Sequence, residues 1–244
     1  MQEQNALDNV SIVLVNTKTP ANIGAVARCM MNTGLSRLIL VRPPADPNDD
    51  ALKLAAGAEK VLREAKRFGT LGDAVADHHL VVGTSRHLAR HRRNVRAPRE
   101  AAGHFVPLLP RNRVALVFGR EVNGLEKGDL ALCHELIAIP SADAFPSLNL
   151  SHAVMVVAYE LFLAARAGLS ADERTLARSE ELELFFSHLQ QALRDIGFLD
   201  DRSADHMMSS LRQLFGRARL EQRDVKILRG ILTAVTGAHR PKDG

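Results

Sequence analysis

Five short apolar runs set the main constraint on this chain: VSIVLV at Val10–Val15, RLILV at Arg37–Val41, HLVVG at His79–Gly83, RVALVF at Arg113–Phe118 and ELIAI at Glu135–Ile139. They are rich in β-branched residues and separated by stretches of helical apolar spacing. That pattern predicts an α/β domain whose strands form a mainly parallel sheet buried on both faces. Strands of such a sheet end at one common edge, where ligands of open α/β folds bind. Four polar loops fall on that edge: TPANIGAVAR after the first run, GTSRHLARHRRN after the third, GREVNGL after the fourth and PSADAFPSLNL after the fifth.

The segments between the runs carry the helices. Ile23, Val26, Ala27 and Met30 recur at helical spacing within Asn22–Asn32, Arg28 projects near that face, and Gly34 closes the segment as a C-cap. A second helical stretch is expected from Ala51 to about Lys66. From Leu150 to Ala165 the residues are apolar nearly all round, with Ser151, His152, Tyr159 and Glu160 as the main exceptions. This predicts a core or subunit-interface helix, because the run is shorter than the roughly 20 residues a bilayer span needs and Glu160 interrupts it. Ser147 and Asn149, just before it, are capping residue types. After Gly168 the polar stretch LSADERTLARSE reads as a linker, which divides the chain into 1–168, a linker at 169–180 and a helical extension at 181–244. Leu182, Phe185, Phe186, Leu189 and Leu193 mark one amphipathic helix of the extension, and Val225, Ile227, Leu228, Ile231, Leu232 and Val235 another. An independent core is marginal at that size, so the extension is expected to pack on the first domain, a partner subunit or a ligand.

Composition narrows the function. Lys and Arg number 32 against 28 Asp and Glu, and the six arginines 86, 90, 92, 93, 96 and 99 concentrate positive charge after the third run. Solvated loop charge is the plain reading; a basic loop beside a ligand edge points instead to a phosphate-bearing partner such as RNA. With one Tyr and no Trp, recognition would rest on shape and phosphate contacts more than on stacking. Cys29 and Cys133 form no CxxC pair and read as free thiols of a reducing compartment. The polar N-terminus has no apolar signal core, so a cytoplasmic protein without a membrane anchor is expected. His87 and His91 have zinc-like spacing, but the surrounding arginines oppose a cation and no metal site is expected. Gly119–Gly124 lacks the Lys-Ser/Thr of a P-loop, since Leu125 and Glu126 follow it, and no G-x-G-x-x-G follows a strand.

NIGAVAR at 22–28, FGREVNGL at 118–125 and IPSADAFPSLNLSHAV at 139–154, in that order, resemble the three motifs of the SpoU/TrmH branch of the SPOUT RNA methyltransferases. GTSR at 83–86 and LFGRARLEQRDVKILRGIL at 214–232 resemble the TrmJ-type tRNA 2′-O-methyltransferases in particular. The resemblance implies a deep C-terminal trefoil knot, a homodimer whose two subunits complete each site, S-adenosylmethionine as cofactor and tRNA as partner, methylated on the ribose of the cytidine or uridine at nucleotide 32; the helix from Asn149 to Ala167, which lacks a clear polar face, is expected in the dimer interface. It places the cofactor against Thr84, Ser85, Arg86, Gly119, Ile139, Pro146, Ser147 and Leu148. Arg28, Asn22, Glu121, Ser147 and Asn149 match the family's polar positions near the reacting ribose. Arg28, Arg86, Arg90, Arg92, Arg93 and Arg96 are then expected on the RNA. A different structured RNA, such as rRNA, and an inactive RNA-binding protein of the same fold are the competing readings. The loop HLARHRRN after Arg86 is more basic than the TrmJ type, which bears on substrate range rather than on the reaction.

Overall fold

The computed structural model describes residues 7–43, 49–85, 95–200 and 203–239. Seven strands, β1 (Val10–Val15), β2 (Arg37–Val41), β3 (Lys66–Phe68), β4 (Leu80–Thr84), β5 (Val95–Arg96), β6 (Val114–Phe118) and β7 (Glu135–Ile137), form one sheet in the order β3-β2-β1-β6-β4-β7-β5. Every pairing is parallel. The helices are α1 (Pro20–Asn32), α2 (Asp49–Ala55), α3 (Glu59–Arg63), α4 (Leu71–Val75), α5 (Pro98–Phe105), α6 (Lys127–Ala131), α7 (Leu150–Arg166), α8 (Ser179–Asp195), α9 (Ala204–Ala218) and α10 (Gln222–His239).

Alternation along the central strands builds the layers. Ile12 and Leu14 of β1, with Leu116 and Phe118 of β6, face one core shared with α1, α5 and α7. Val13, Val15, Ala115 and Val117 face the opposite core with Leu71, Ala74 and Val75 of α4. Each such aliphatic side chain, taken fully out of water, contributes roughly 1.5–3 kcal/mol, so β1 and β6 anchor the sheet. α1 ends as the sequence predicts. Gly34 adopts φ +74°, its N–H donates to Met31 O, and Leu35 N–H donates to Met30 O, the paired bonds of a Schellman cap. Gly24 lets α1 meet α2, since a Cβ there would lie 2.0 Å from the Ala51 carbonyl oxygen.

Three features go beyond the sequence reading, the first of them as a correction. The single helix read over 51–66 is two short ones, because Ala56 (φ 39°) and Gly57 (φ 93°) turn left-handed between them, and Lys66–Phe68 then adds β3 at the sheet edge. Helix α7 is buried through Leu150, Val154, Val157 and Leu161, but leaves Val156, Tyr159 and Leu163 exposed on another face. The stretch read as a linker is pinned to the body: Asp172 N–H donates to Pro107 O at 2.8 Å, and Asn112 bonds both Arg174 O and Leu176 N.

Helices α8 to α10 enclose a third core around Phe185, Phe186, Leu189 and Met208, where Phe215 meets Phe185 edge-on at 5.0 Å. Of the three docking possibilities, the structure places the extension on the first domain. Ser179 N–H donates to His78 O at 2.7 Å and Ala177 N–H to Leu220 O at 2.8 Å, while Gly216 packs on the His134 carbonyl.

Candidate active site

The loops leaving β1, β4, β6 and β7 meet at the C-terminal edge of the sheet. Those leaving β4, β6 and β7 line a cavity of about 290 Å³. Thr84, Ser85, Gly119, Glu121, Ile139, Pro146, Ser147 and Leu148 all line it, so the structure brings these predicted residues together. Phe118, Leu125, Leu130, Ile137 and Ala153 supply apolar wall that sequence reading missed. These positions read as core, because their apolar character serves both purposes.

The loop after β6 is a tight turn rather than a phosphate cradle. Arg120 and Gly124 exchange backbone hydrogen bonds of 3.2 and 3.0 Å. A Cβ on Gly119 would stand 2.1 Å from the Gly124 carbonyl carbon, and Gly124 itself has φ +66°, so both positions need glycine. The turn delivers Glu121 to the start of α1. There its carboxylate accepts from Lys18 N–H at 3.3 Å, Thr19 N–H at 3.1 Å and Asn22 Nδ2 at 3.1 Å. Burial alone would raise the Glu121 pKa, but its own backbone N–H and those three donors outweigh burial and lower it. Glu121 is therefore a held carboxylate whose acceptor sites are largely committed.

From Glu121 the polar contacts run on as a relay. Asn149 Nδ2 donates to Asn22 Oδ1 at 3.2 Å. Asn149 Oδ1 accepts from Ser151 N–H at 2.9 Å and Ser151 Oγ at 2.8 Å. Two donors on one oxygen settle which way the Asn149 amide faces, and that settles Asn22 in turn. Asn149 is thus the N-cap of α7 as well as a site residue, whereas Ser147 makes no cap. Ser151 was read only as an exception to an apolar face; the spacing of Asn149 and Ser151, cap and second helical residue, was the available signal.

Arg28 is exposed on α1, six residues and about 9 Å of helix rise beyond Asn22. It makes no hydrogen bond or ion pair among the described residues. Its neighbour Cys29 bonds Ser151 O at 3.6 Å. Burial raises the Cys29 thiol pKa, partly offset by a backbone hydrogen bond and the Arg28 charge.

Arg86, Arg90, Arg92 and Arg93 lie outside the described residues. Arg96, expected on RNA, is turned instead onto the buried carboxylate of Glu135 and lies 3.3 Å from Glu100. Its own edge strand places it beside anions that a local charge count does not see. Arg99 likewise pairs with Glu160. Among the described residues no three His, Cys, Asp or Glu side chains gather as a metal site, and no helix is long and apolar enough to cross a membrane.

S-adenosylmethionine combines a flat purine, a ribose, a sulfonium cation and an amino-acid group, and the cavity suits each part. Ile137, Ile139, Leu148 and Leu125 form an apolar slot, Thr84, Ser85 and Ser147 bring polar atoms, and the Glu121 anion stands on the lining for the positive charge. Its volume is near the lower end of small-molecule sites, about 300–1,000 Å³.

Fold and site together define an α/β protein with a cavity of small-molecule size at the C-terminal edge of a parallel sheet. Residues 9–159 match the SpoU rRNA Methylase family and residues 180–244 the C-terminal domain of tRNA methyltransferase TrmJ. The chain belongs to the SpoU methylase family. It is 43% identical, over 93% of each chain, to the tRNA (cytidine/uridine/adenosine-2′-O-)-methyltransferase TrmJ of Pseudomonas aeruginosa strain UCBPP-PA14. The crystal structure of TrmJ from Z. mobilis ZM4 superposes with a TM-score of 0.81 at 34% identity, covering 92% of this chain and 98% of that one. An AdoMet-bound rRNA methyltransferase from Sinorhizobium meliloti matches at 25% identity and TM-score 0.52, over 66% of this chain and 57% of that one.

Proposed function

We propose that this protein is a cytoplasmic tRNA ribose 2′-O-methyltransferase that uses S-adenosylmethionine and acts, as a homodimer, on the cytidine or uridine at nucleotide 32 of the anticodon loop. The observation that carries the reading is the oriented relay Glu121–Asn22–Asn149–Ser151, which starts from Glu121 on the lining of a cavity of cofactor size. The TrmJ name of the 43%-identical relative supports the tRNA ribose as substrate. The strand order around β6, β4 and β7 accords with the knotted threading that the family resemblance implies.

The cofactor supplies a methyl group already activated on sulfonium, so the chain's own residues have two tasks: in-line placement and easing the departure of the hydroxyl proton. Thr84, Ser85, Gly119, Ile139, Pro146, Ser147 and Leu148 hold the cofactor. The relay keeps the loop after β6, the start of α1 and the cap of α7 in one arrangement. Arg28, with a planar set of donors and no acceptor, clamps a backbone phosphate and the reacting hydroxyl and stabilises charge on that oxygen as the proton leaves. Glu121 is too thoroughly hydrogen-bonded to receive that proton.

Methyl transfer from labelled cofactor to total tRNA, followed by nucleoside analysis, tests the proposal. The expected products are 2′-O-methylcytidine and 2′-O-methyluridine, lost when nucleotide 32 lacks its hydroxyl. Label appearing only in rRNA, or in neither RNA, would overturn it.

A further inference from the structure

The Glu135 carboxylate joins three parts of the chain. It is 3% exposed in its side chain. Arg219, from the end of α9, donates Nε to Oε1 at 2.9 Å and brings Nη2 within 2.8 Å of the same oxygen. Arg96 of β5 takes the other oxygen, Oε2. The two oxygens are thus divided between the C-terminal extension and the sheet edge.

Arg219 is set up for this reach. Its backbone is left-handed, φ +51°, a conformation that costs a non-glycine residue about 1–2 kcal/mol and persists only where the surroundings require it. On the other side, β5 has two residues and, among the described residues, pairs only with β7, so little described backbone holds it. Arg96 O accepts the Ala138 N–H at 3.0 Å, and Ala138 lies between Ile137 and Ile139, two walls of the cofactor cavity. A continuous set of contacts therefore runs from Arg219 through Glu135 and Arg96 to the cavity wall.

We propose that Arg219 is a positioning residue for the cofactor site: the C-terminal extension sets the shape of the Ile137–Ile139 wall through the divided Glu135 carboxylate, and so sets cofactor affinity. This rests on the assignment of the cavity to S-adenosylmethionine. Without Arg219 the buried Glu135 loses half its compensation and draws Arg96 onto both oxygens, which moves β5 and releases Ala138. Binding linkage adds a consequence. An RNA that engages the extension and shifts Arg219 changes cofactor affinity, and the cofactor changes RNA affinity by the same factor.

The experiment compares full-length Arg219→Met with wild type and with the exposed-site control Arg223→Met. Calorimetric titration with S-adenosylhomocysteine, without RNA, should give a dissociation constant about 10-fold weaker for Arg219→Met and unchanged for the control. Hydrogen exchange without ligand should show the Ala138 amide of Arg219→Met exchanging about 10-fold faster, with α8 and α10 protected as in wild type. Wild-type Ala138 protection and affinity would overturn the proposal; so would loosening confined to the extension. If wild type does not bind S-adenosylhomocysteine, the cofactor assignment fails, while exchange at Ala138 still decides the coupling. Should Arg219→Met not fold, the apolar triple variant Arg96→Met, Glu135→Leu, Arg219→Met keeps the fold, as such swaps are often neutral or stabilising. Its affinity should stay weak, and full recovery would overturn the proposal.

Discussion

Asn22 and Glu121, 99 residues apart in sequence, meet through a 3.1 Å hydrogen bond from Asn22 Nδ2 to Glu121 Oε1. With two backbone N–H groups on the same carboxylate, this contact fixes the loop after β6 against the start of α1. The charge matters as much as the shape. Glu121→Gln keeps the size but offers one acceptor oxygen to three donors, and its amide N–H would face one of them.

Methyl transfer by Glu121→Gln should therefore fall about 30-fold, roughly 2 kcal/mol of transition-state stabilisation, with the thermal midpoint near wild type. Single-turnover rates with a melting curve check this. Full activity would show that the relay needs only a neutral acceptor.

The sequence announced the parts of this site more clearly than their pairing. β1 and β6 were legible because both their faces are buried, Ile12 and Leu14 on one side and Val13 and Val15 on the other, which leaves an unbroken apolar run. β3 was not, because edge residues Lys66 and Arg67 are exposed and carry no apolar signal. Asn22, Glu121 and Asn149 stood out as residue types, yet nothing local records that Ser151 orients the Asn149 amide. The Arg96 ion pair was hidden for the same reason: its partner Glu135 lies 39 residues away, and a run of arginines looks alike whether each faces solvent or a buried anion.

Two buried histidines make the fold acid-sensitive. Burial, the main cause, lowers His78 to about 4, with Asp77 opposing and Arg113 assisting; burial and then Arg212 lower His134 to about 4. The folded values lie below the unfolded value of 6.5, so the unfolded chain takes up these protons first. Stability is full above about pH 6.5 and falls as pH drops toward 4, by up to about 1.4 kcal/mol per pH unit for each histidine. His134 accepts the Val81 N–H through Nδ1, a role an asparagine oxygen can fill without titrating. Urea unfolding between pH 7 and 5 should show His134→Asn with a smaller acid slope than wild type. An unchanged slope would remove His134 as a cause.

The exposed side chains Val156, Tyr159 and Leu163 recur at helical spacing on α7, beside a core that already holds its other face. The proposed homodimer would cover them. Light scattering at micromolar concentration should give about twice 26.7 kDa, and Val156→Glu with Leu163→Glu should give a folded monomer with little activity. A wild-type monomer with full turnover would sink the dimer.

Arg28→Lys tests the chemistry most directly. The substitution keeps the positive charge but replaces a planar fork with a point charge, which cannot hold a phosphate oxygen and a ribose hydroxyl in one fixed geometry. Arg28 is exposed and free of partners among the described residues, so the fold should tolerate the change to within about 0.5 kcal/mol. It does not line the cavity, so cofactor binding should also hold. The loss should fall on the chemical step: about 100-fold in single-turnover rate at saturating tRNA and cofactor, equivalent to roughly 2.7 kcal/mol. Saturation removes any defect in binding from that number. If Arg28 is only a surface residue of α1, Lys will turn over at the wild-type rate, and the stabilising charge on the ribose oxygen must then come from elsewhere on the rim, with Ser147 the next side chain to replace.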